Sequence, residues 1–340
     1  MALIDISNLS VEYTTQDNVI EAVNDVSFTV DENEQFGLVG ESGSGKSTIA
    51  KSILQILPDN GAVTDGSIEF EPTGLDLATA SGQPLRDTRW AHISMIAQSA
   101  MNGLDPVYTL SEQIVEAIEL HRDVSRAEAE ERVEELLEIV GLDVRRRDAY
   151  PHQLSGGMRQ RAMIAMALAL EPELVIADEP TTALDVITQD HILKEIAELT
   201  ERLDNSLIVI THDMSVIAET CDRVGVMYGG ELVEVGPVEE VFTDPEHPYT
   251  LGLVNAFPTI EGDDRELITM PGEPPDLSAP PTGCNFADRC PYSRPECSEQ
   301  DPSLTRRGED WTAACWVSED VDINAEYDTV VEESEKWQTL

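Results

Sequence analysis

The sequence predicts an α/β fold, in which a mixed sheet with flanking helices carries an inserted helical subdomain and a small irregular C-terminal extension. Two short apolar runs, 35–39 and 174–177, are suited to buried strands. The first run leads into a glycine-rich loop and the second into two carboxylates. Between them, Ser125 and Glu128 match a capping box and predict a helix that ends at Gly141. The face of this helix that we expect to be buried carries Val133, Leu136, Leu137 and Val140.

The glycine-rich loop fits the phosphate-binding pattern G-x-x-x-x-G-K-[ST]. A segment with helical apolar spacing follows it, so unpaired backbone N–H groups and the positive end of a helix dipole would face an anion. Lys46 is expected to reach the β- and γ-phosphates of a nucleotide, and the Ser47 hydroxyl to ligate Mg²⁺. An ordinary glycine-rich turn is the alternative, which the flanking strand and helix disfavour. The predicted nucleotide-binding residues are Gly40, Ser42, Gly43, Ser44, Gly45, Lys46, Ser47 and Thr48.

A second anion-binding segment is predicted further along the chain. Ser155, Gly156 and Gly157 precede a helix that we expect from Met158 to about Leu170. A hydroxyl and free backbone N–H groups at the start of a helix favour a phosphate group there. A chain with one nucleotide site has no use for two such segments on the same phosphate.

The two carboxylates that end the second apolar run are candidates for metal binding and catalysis. Asp178 would help to hold Mg²⁺, and Glu179 would orient and deprotonate an attacking water as general base. A solvated turn is the alternative for an isolated Asp-Glu pair. The two phosphate-binding segments on the same chain favour the catalytic interpretation.

In this order the three segments resemble those of ATP-binding cassette (ABC) ATPases, and the resemblance covers about residues 3 to 250. It implies a dimer in which the Ser155 segment serves the ATP of the partner subunit and Asp185 lies at the interface. It also implies that His212 contacts the γ-phosphate and that Gln98 is a metal and water ligand that senses a membrane partner. Tyr13 matches the aromatic residue that stacks on adenine; an ordinary strand tyrosine is the alternative.

More specifically, the chain is similar to the ATPase subunits of dipeptide, oligopeptide and nickel importers. The segments 101–107, 247–253, 270–275 and 283–291 carry this resemblance, although Ser99-Ala100 replaces the more usual acidic-proline pair. The implied organisation is a nucleotide-binding domain over 1–250, with a helical subdomain at about 99–171 that receives the coupling helix of a membrane subunit. An extension over 251–318 and an acidic, disordered tail over 319–340 follow.

The charge of the chain is extreme for a folded enzyme. Its 67 acidic residues against 21 Lys and Arg give a formal net charge of −46. Such repulsion opposes compaction unless salt screens it, so we expect an origin in a halophile that accumulates salt. Acidic tails are a poor alternative, because the carboxylates are spread through the segments that carry the motifs. The charge also argues against a nucleic-acid partner, which would need clustered Lys and Arg.

Four of the five cysteines, Cys284, Cys290, Cys297 and Cys315, lie within 32 residues of one another, and Cys221 lies apart. We expect no structural disulfides in a reducing cytosol, and the spacing alone chooses no metal. Some peptide-importer ATPases hold a four-iron, four-sulfur cluster in this extension, so the resemblance implies such a cluster on these four residues. Zinc, or thiols without a metal, are the alternatives.

The predicted function is that of an ATP-hydrolysing subunit that powers uptake of peptides or a similar small solute, with nickel as another possible cargo. The resemblance implies a second ATPase subunit, generally a different chain, with two permease subunits and an extracytoplasmic solute-binding protein. The protein is expected at the cytoplasmic face of the membrane, as a peripheral subunit. The alternatives are a soluble ABC ATPase of DNA repair or of the ribosome, and a regulatory cassette that does not hydrolyse ATP.

Overall fold

The computed structural model describes residues 1–97, 103–180, 186–256, 268–333 and 336–339. The strands are β1 (Ala2–Thr14), β2 (Val19–Asp31), β3 (Gln35–Gly40), β4 (Gly61–Phe70), β5 (Leu75–Asp76), β6 (Ile93–Ile96), β7 (Leu174–Asp178), β8 (Ser206–Ile210), β9 (Arg223–Tyr228), β10 (Glu231–Pro237), β11 (Ile268–Thr269), β12 (Thr305–Arg306), β13 (Thr312–Ala313) and β14 (Gln338–Thr339). The helices are α1 (Lys46–Ile53), α2 (Gly82–Thr88), α3 (Leu110–His121), α4 (Arg126–Ile139), α5 (Gly156–Ala167), α6 (Val186–Arg202), α7 (Met214–Thr220), α8 (Val238–Thr243), α9 (Pro248–Asn255), α10 (Pro295–Glu299) and α11 (Tyr327–Glu333). Among the described helices, none is both long and apolar enough to cross a membrane.

The chain divides into two compact units. The first consists of Met1–Ile4, Val30–Gln35 and Phe70–Ile210, and the second of Asp5–Thr29, Phe36–Glu69 and Thr211–Leu340. In the first unit, β7 lies between β6 and β8, and both pairings are parallel. Every residue of β7 and β8 is buried, which explains why 174–177 and 207–210 are continuous apolar runs rather than alternating ones.

Helices of the first unit confirm the prediction of a helical insertion. Ser125 and Glu128 form the predicted capping box at the start of α4, and Gly141 ends the helix with a φ of 66°. All four apolar residues predicted for its inner face are buried. The helix expected from Met158 begins two residues earlier, at Gly156, and ends at Ala167, before the expected end near Leu170.

In the second unit, β3 runs parallel to β9, and β9 and β10 form an antiparallel hairpin across Gly229-Gly230. β13 pairs antiparallel with β10 on one side and with β12 on the other. The residues of β1, β2 and β4 that belong to this unit form another sheet in the order β2-β1-β4. All six residues of β3 are buried, so the strand supports the glycine-rich loop that follows it.

The described part of 319–340, the range predicted to be a disordered tail, carries regular secondary structure. Here α11 forms, and β14 pairs antiparallel with β11. Trp337 is only 1% exposed, and its ring lies 6.2 Å from that of Tyr292 and 6.3 Å from that of Tyr327. Although the range 319–340 is acidic, it contains a few widely spaced apolar side chains. Their burial packs this range against the extension.

Candidate nucleotide-binding site

The glycine-rich loop joins β3 to α1 in the second unit, as the sequence predicts. Gly45 is the residue before the helix and has a φ of 103°, a conformation that side chains with a Cβ rarely adopt. A Cβ on Gly45 would lie 2.4 Å from the carbonyl oxygen of Ala22, and one on Gly40 would lie 2.1 Å from that of Met227. Both positions therefore require glycine, because neighbouring backbone approaches the loop closely.

Lys46 is the main cation of the loop and is only 4% exposed. Its Nζ donates hydrogen bonds to the carbonyl oxygens of Gly40 and Glu41, each at 2.8 Å, and to Ser44 Oγ at 3.1 Å. All three acceptors belong to the loop, so the loop surrounds the ammonium group at the N-terminus of α1. A buried ammonium beside the N–H groups of a helix start is an arrangement that binds phosphate oxygens.

Tyr13 lies beside the first turn of α1. Its hydroxyl is 3.3 Å from Thr48 Oγ1, and its ring faces Gly61, where a Cβ would lie 2.6 Å from Tyr13 Cε1. The structure therefore places Tyr13 next to the predicted phosphate-binding residues. Its stacking on adenine remains a prediction.

The sequence did not predict a role for Arg289, which contacts the loop. Its guanidinium pairs with both carboxylate oxygens of Glu41, and the Glu41 N–H donates to the hydroxyl of Tyr249 at 2.9 Å. Burial alone would lower the pKa of Arg289, but hydrogen bonds from its guanidinium to Glu41 and Tyr228 raise it above the ordinary value. The phosphate-binding pattern G-x-x-x-x-G-K-[ST] allows any residue type at position 41, so no spacing rule could have indicated the contact between Glu41 and Arg289.

The first unit carries the two predicted carboxylates at the end of β7. Asp178 is 3% exposed and pairs with Ile210 of β8, whose carbonyl oxygen accepts a hydrogen bond from the Glu179 N–H at 2.9 Å. Glu179 itself is half-buried and has a φ of 41°, which is strained for a residue other than glycine. Such strain is common where a side chain must leave a strand in a defined direction at a functional site.

The predicted second phosphate-binding segment also belongs to the first unit. Ser155 caps α5, and its Oγ accepts a hydrogen bond from the Met158 N–H at 3.3 Å. Gln160, which is buried, donates from its side chain to the carbonyl oxygen of Pro180. The helix of this segment is therefore bonded directly to the turn that carries Glu179. The roles of Ser155, Gly156 and Gly157 toward a partner's ATP remain predictions.

Three further predicted residues complete the set. His212 is exposed and follows β8, and the turn there is held by a hydrogen bond from the Asp213 N–H to Thr211 Oγ1 at 3.0 Å. Gln98 and Asp185 lie outside the described residues. The predicted roles of all three residues therefore stay predictions.

In the second unit, the Cys284 N–H donates a hydrogen bond to the carbonyl oxygen of Cys297 at 2.8 Å, so two of the four cysteines are joined by their backbones. Burial raises the pKa of Cys284 to about 12, and the charges of Cys315 and Cys297 raise it as well. Burial also raises the pKa of Cys290 and of Cys315, each with a further contribution from a neighbouring cysteine. Within the part of the chain that the structure describes, however, no three His, Cys, Asp or Glu side chains are placed to hold a metal ion. The structure thus does not support the predicted cluster.

Comparison with known families and proteins agrees with the site. A family model described as ABC transporter matches residues 23–182, and one described as the C-terminal region of oligopeptide/dipeptide transporters matches 233–297. The dipeptide transport ATP-binding protein DppD of Bacillus subtilis is 44% identical over 320 residues, which cover 93% of this chain and 95% of DppD. The oligopeptide transport ATP-binding protein OppD of Haemophilus influenzae is 42% identical over 318 residues, with 93% and 97% covered.

Solved structures of ATP-binding cassettes share the fold. One is a dimeric cassette in a post-hydrolysis state bound to ADP and Pi, with a TM-score of 0.61 and 28% identity over 69% of this chain and 98% of that one. Another is cbiO1 of Clostridium perfringens, part of an ABC transporter complex, with a TM-score of 0.60 and 26% identity over 74% and 95% of the two chains. The loop around Lys46 and the strand that ends in Asp178 agree with these relatives. The chain therefore belongs to the family of ABC transporter ATP-binding proteins and has the cassette fold that its sequence predicted.

Proposed function

We propose that this protein hydrolyses ATP to ADP and phosphate and thereby powers the import of peptides or similar small solutes. The observation that carries the proposal is the buried Lys46 at the N-terminus of α1, in a chain whose C-terminal region matches that of oligopeptide/dipeptide transporters. The relatives DppD and OppD are named for dipeptide and oligopeptide transport. Nickel stays a second possible cargo, because the cassette itself does not contact the solute.

The residues present fit the chemistry of ATP hydrolysis. Lys46 and the helix N-terminus would hold the phosphates, and the oxygen atoms of Ser47 and Asp178 are hard ligands suited to Mg²⁺, with Gln98 as a further ligand. Mg²⁺, when bound, supplies positive charge to the phosphate oxygens. Glu179 would accept the proton of the attacking water, and His212 would contact the γ-phosphate.

We infer that the subunit works with a second ATPase subunit, two permeases and a solute-binding protein, at the cytoplasmic face of the membrane. A related cassette is dimeric in its solved structure, which supports a role for Ser155 and Asp185 across a dimer. Large apolar side chains are exposed in the helical part of the first unit, at Val107, Tyr108 and Leu120. Exposed apolar groups of this kind suit docking of a permease helix. A different chain is the proposed dimer partner.

Two further properties are part of the proposal. The net charge of −46 supports function at the high salt of a halophile's cytoplasm. The four cysteines Cys284, Cys290, Cys297 and Cys315 are the proposed ligands of a metal centre, for which a four-iron, four-sulfur cluster is the first candidate and zinc the second. Thiols without a metal are the remaining alternative.

The alternatives in other classes are disfavoured by specific observations. A soluble ABC ATPase of DNA repair or of the ribosome would meet nucleic acid with a strongly acidic surface. It would also not account for the transporter-type C-terminal region at 233–297. A regulatory cassette that does not hydrolyse ATP would not need Glu179 after Asp178.

Phosphate release and nucleotide binding, measured on purified variants in molar KCl, test the ATPase assignment. Glu179→Gln is expected to keep ATP binding and to lose at least about 10²-fold in turnover, because the general base is absent. Lys46→Ala is expected to weaken ATP binding itself, because it removes the charge that holds the phosphates. Turnover at the wild-type rate in Glu179→Gln would refute the assignment. Peptide uptake into vesicles that contain the partner permeases then tests the transport role.

A further inference from the structure

We propose that Arg289, in the C-terminal region, is a positioning residue for the phosphate-binding loop. Arg289 holds the Glu41 carboxylate, so that the negative charge of Glu41 does not oppose ATP binding. The inference rests on the nucleotide-binding site proposed above. It gives the C-terminal region a direct role in nucleotide affinity.

Glu41 is the residue of the loop that directly follows Gly40, and it is held on three sides. Its N–H donates to the Tyr249 hydroxyl at 2.9 Å, and its carbonyl oxygen accepts from Lys46 Nζ at 2.8 Å. Its carboxylate accepts two parallel hydrogen bonds from Nη1 and Nη2 of Arg289, both at 2.9 Å. The residue whose carbonyl contacts the phosphate-binding lysine is therefore fixed by two side chains from the matched C-terminal region.

Arg289 is itself rigidly placed. Besides Glu41, its guanidinium donates to the hydroxyl of Tyr228 at 3.0 Å and to the carbonyl oxygens of Met270 at 2.8 Å and Pro271 at 3.3 Å. It is 8% exposed and lies 5.6 Å from the ring centroid of Tyr228 and 5.8 Å from that of Phe286. A planar group with this many partners presents both N–H groups to Glu41 without further ordering.

The turn that carries Arg289 is fastened by the last part of the chain. Lys336 Nζ donates to the carbonyl oxygens of Ala287 and Cys290, each at 3.0 Å. Next to it, Trp337 is almost completely buried. The position of the guanidinium therefore depends on the packed C-terminal region as a whole, which makes this region part of the support of the loop.

The consequence for nucleotide binding is electrostatic. ATP brings several negative charges to a loop whose own Glu41 is also negative, and the side chain of Glu41 is only 26% exposed. A two-point ion pair with Arg289 neutralises that carboxylate and keeps its side chain in one place. Without Arg289 the carboxylate would be partly buried, unpaired and adjacent to the phosphates, which is a costly arrangement for a charge.

Equilibrium binding of ATP to the full-length protein, with steady-state kinetics in the same buffer, tests the proposal. Arg289→Ala is expected to raise the Kd for ATP about tenfold or more and to raise KM more than it lowers kcat, because the partner charge is left unpaired. Glu41→Gln in the same chain removes that charge, so Glu41→Gln/Arg289→Ala is expected to bind ATP within about threefold of Glu41→Gln alone. A double variant as weak as Arg289→Ala would overturn the proposal.

Arg307→Ala is the matched control. Arg307 is a half-buried arginine of the same extension, and its Nε lies 3.8 Å from a carboxylate oxygen of Glu246, a residue outside the loop. Its replacement is expected to leave the Kd for ATP unchanged, and a loss equal to that of Arg289→Ala would refute a specific role for Arg289.

If Arg289→Ala does not fold, the pair Arg289→Lys and Arg289→Gln tests the same idea. Lysine keeps the charge but not the planar two-point geometry, so it is expected to bind ATP more tightly than glutamine, which keeps hydrogen-bond donors without the charge. Equal affinities in these two variants would overturn the proposal. Wild-type protein that binds no ATP would instead refute the proposed function.

Discussion

Glu234 of β10 is a carboxylate with no solvent exposure, and replacing it with glutamine is expected to change how stability depends on pH. Its oxygens accept hydrogen bonds from the Glu246 N–H at 2.9 Å, the His247 N–H at 3.0 Å and Trp311 Nε1 at 2.9 Å. Burial nevertheless dominates these bonds and raises the pKa of Glu234 from 4.5 to about 7.

The contribution of Glu234 to the free energy of unfolding is expected to fall as the pH rises from 4.5 to about 7. Over that range the unfolded chain has lost the Glu234 proton, whereas the folded chain retains it. The contribution of Glu234 to stability is therefore complete below pH 4.5 and is lost by about pH 7. A pKa difference of this size corresponds to about 3 kcal/mol of unfolding free energy over that window. Glu234→Gln resembles the protonated carboxyl at every pH. The free energy of unfolding of the variant, relative to wild type, is therefore expected to rise by about 3 kcal/mol from acidic to alkaline pH.

Urea unfolding followed by circular dichroism from about pH 5 to pH 8, at one KCl concentration, measures this difference. Subtracting the two proteins removes the contribution of the other carboxylates, which titrate in both. Glu239→Gln, at an exposed glutamate of α8, is the control and is expected to run parallel to wild type. A pH-independent difference between Glu234→Gln and wild type would refute the reasoning.

Three further predictions concern salt, metal and the C-terminal segment. Because the charge of −46 must be screened, the melting temperature should rise steeply with KCl, and a value flat from about 0.1 to 3 M would argue against adaptation to high salt. Protein purified without oxygen should be brown and carry about four irons. Cys290→Ser should lose the colour, and Cys221→Ser should keep it. Colourless protein with one zinc or no metal would refute the cluster. Trp337→Ala should lower the unfolding free energy by about 3–5 kcal/mol in a denaturant titration, because removal of the buried ring leaves a cavity. Trp316→Ala, at a half-buried residue, should cost less, and equal losses would contradict the packing role of Trp337.

Local features of this protein were determined by the sequence alone. Gly40 and Gly45 have φ values of 147° and 103°, which residues with a Cβ rarely adopt, so the spacing of glycines and Lys46 predicts the loop from its own residues. The capping box at Ser125 and the hairpin at Gly229-Gly230 likewise depend on residues within a few positions of one another. Because each pattern is short, its physical cause is contained in the segment that carries it.

The tertiary structure decided what depends on distant segments. Arg289 meets Glu41 across 248 positions, and no periodicity or spacing rule connects two residues that only the folded chain brings together. The segment over 319–340 shows the same limit, because its acidic composition predicted disorder while Trp337 finds its apolar partners elsewhere in the fold. The backbone of Glu179 adopts a positive φ in the turn after β7, where its N–H bonds to Ile210 of β8. Side chains and backbone groups of this kind acquire their environment from packing, and packing is a property of the whole chain.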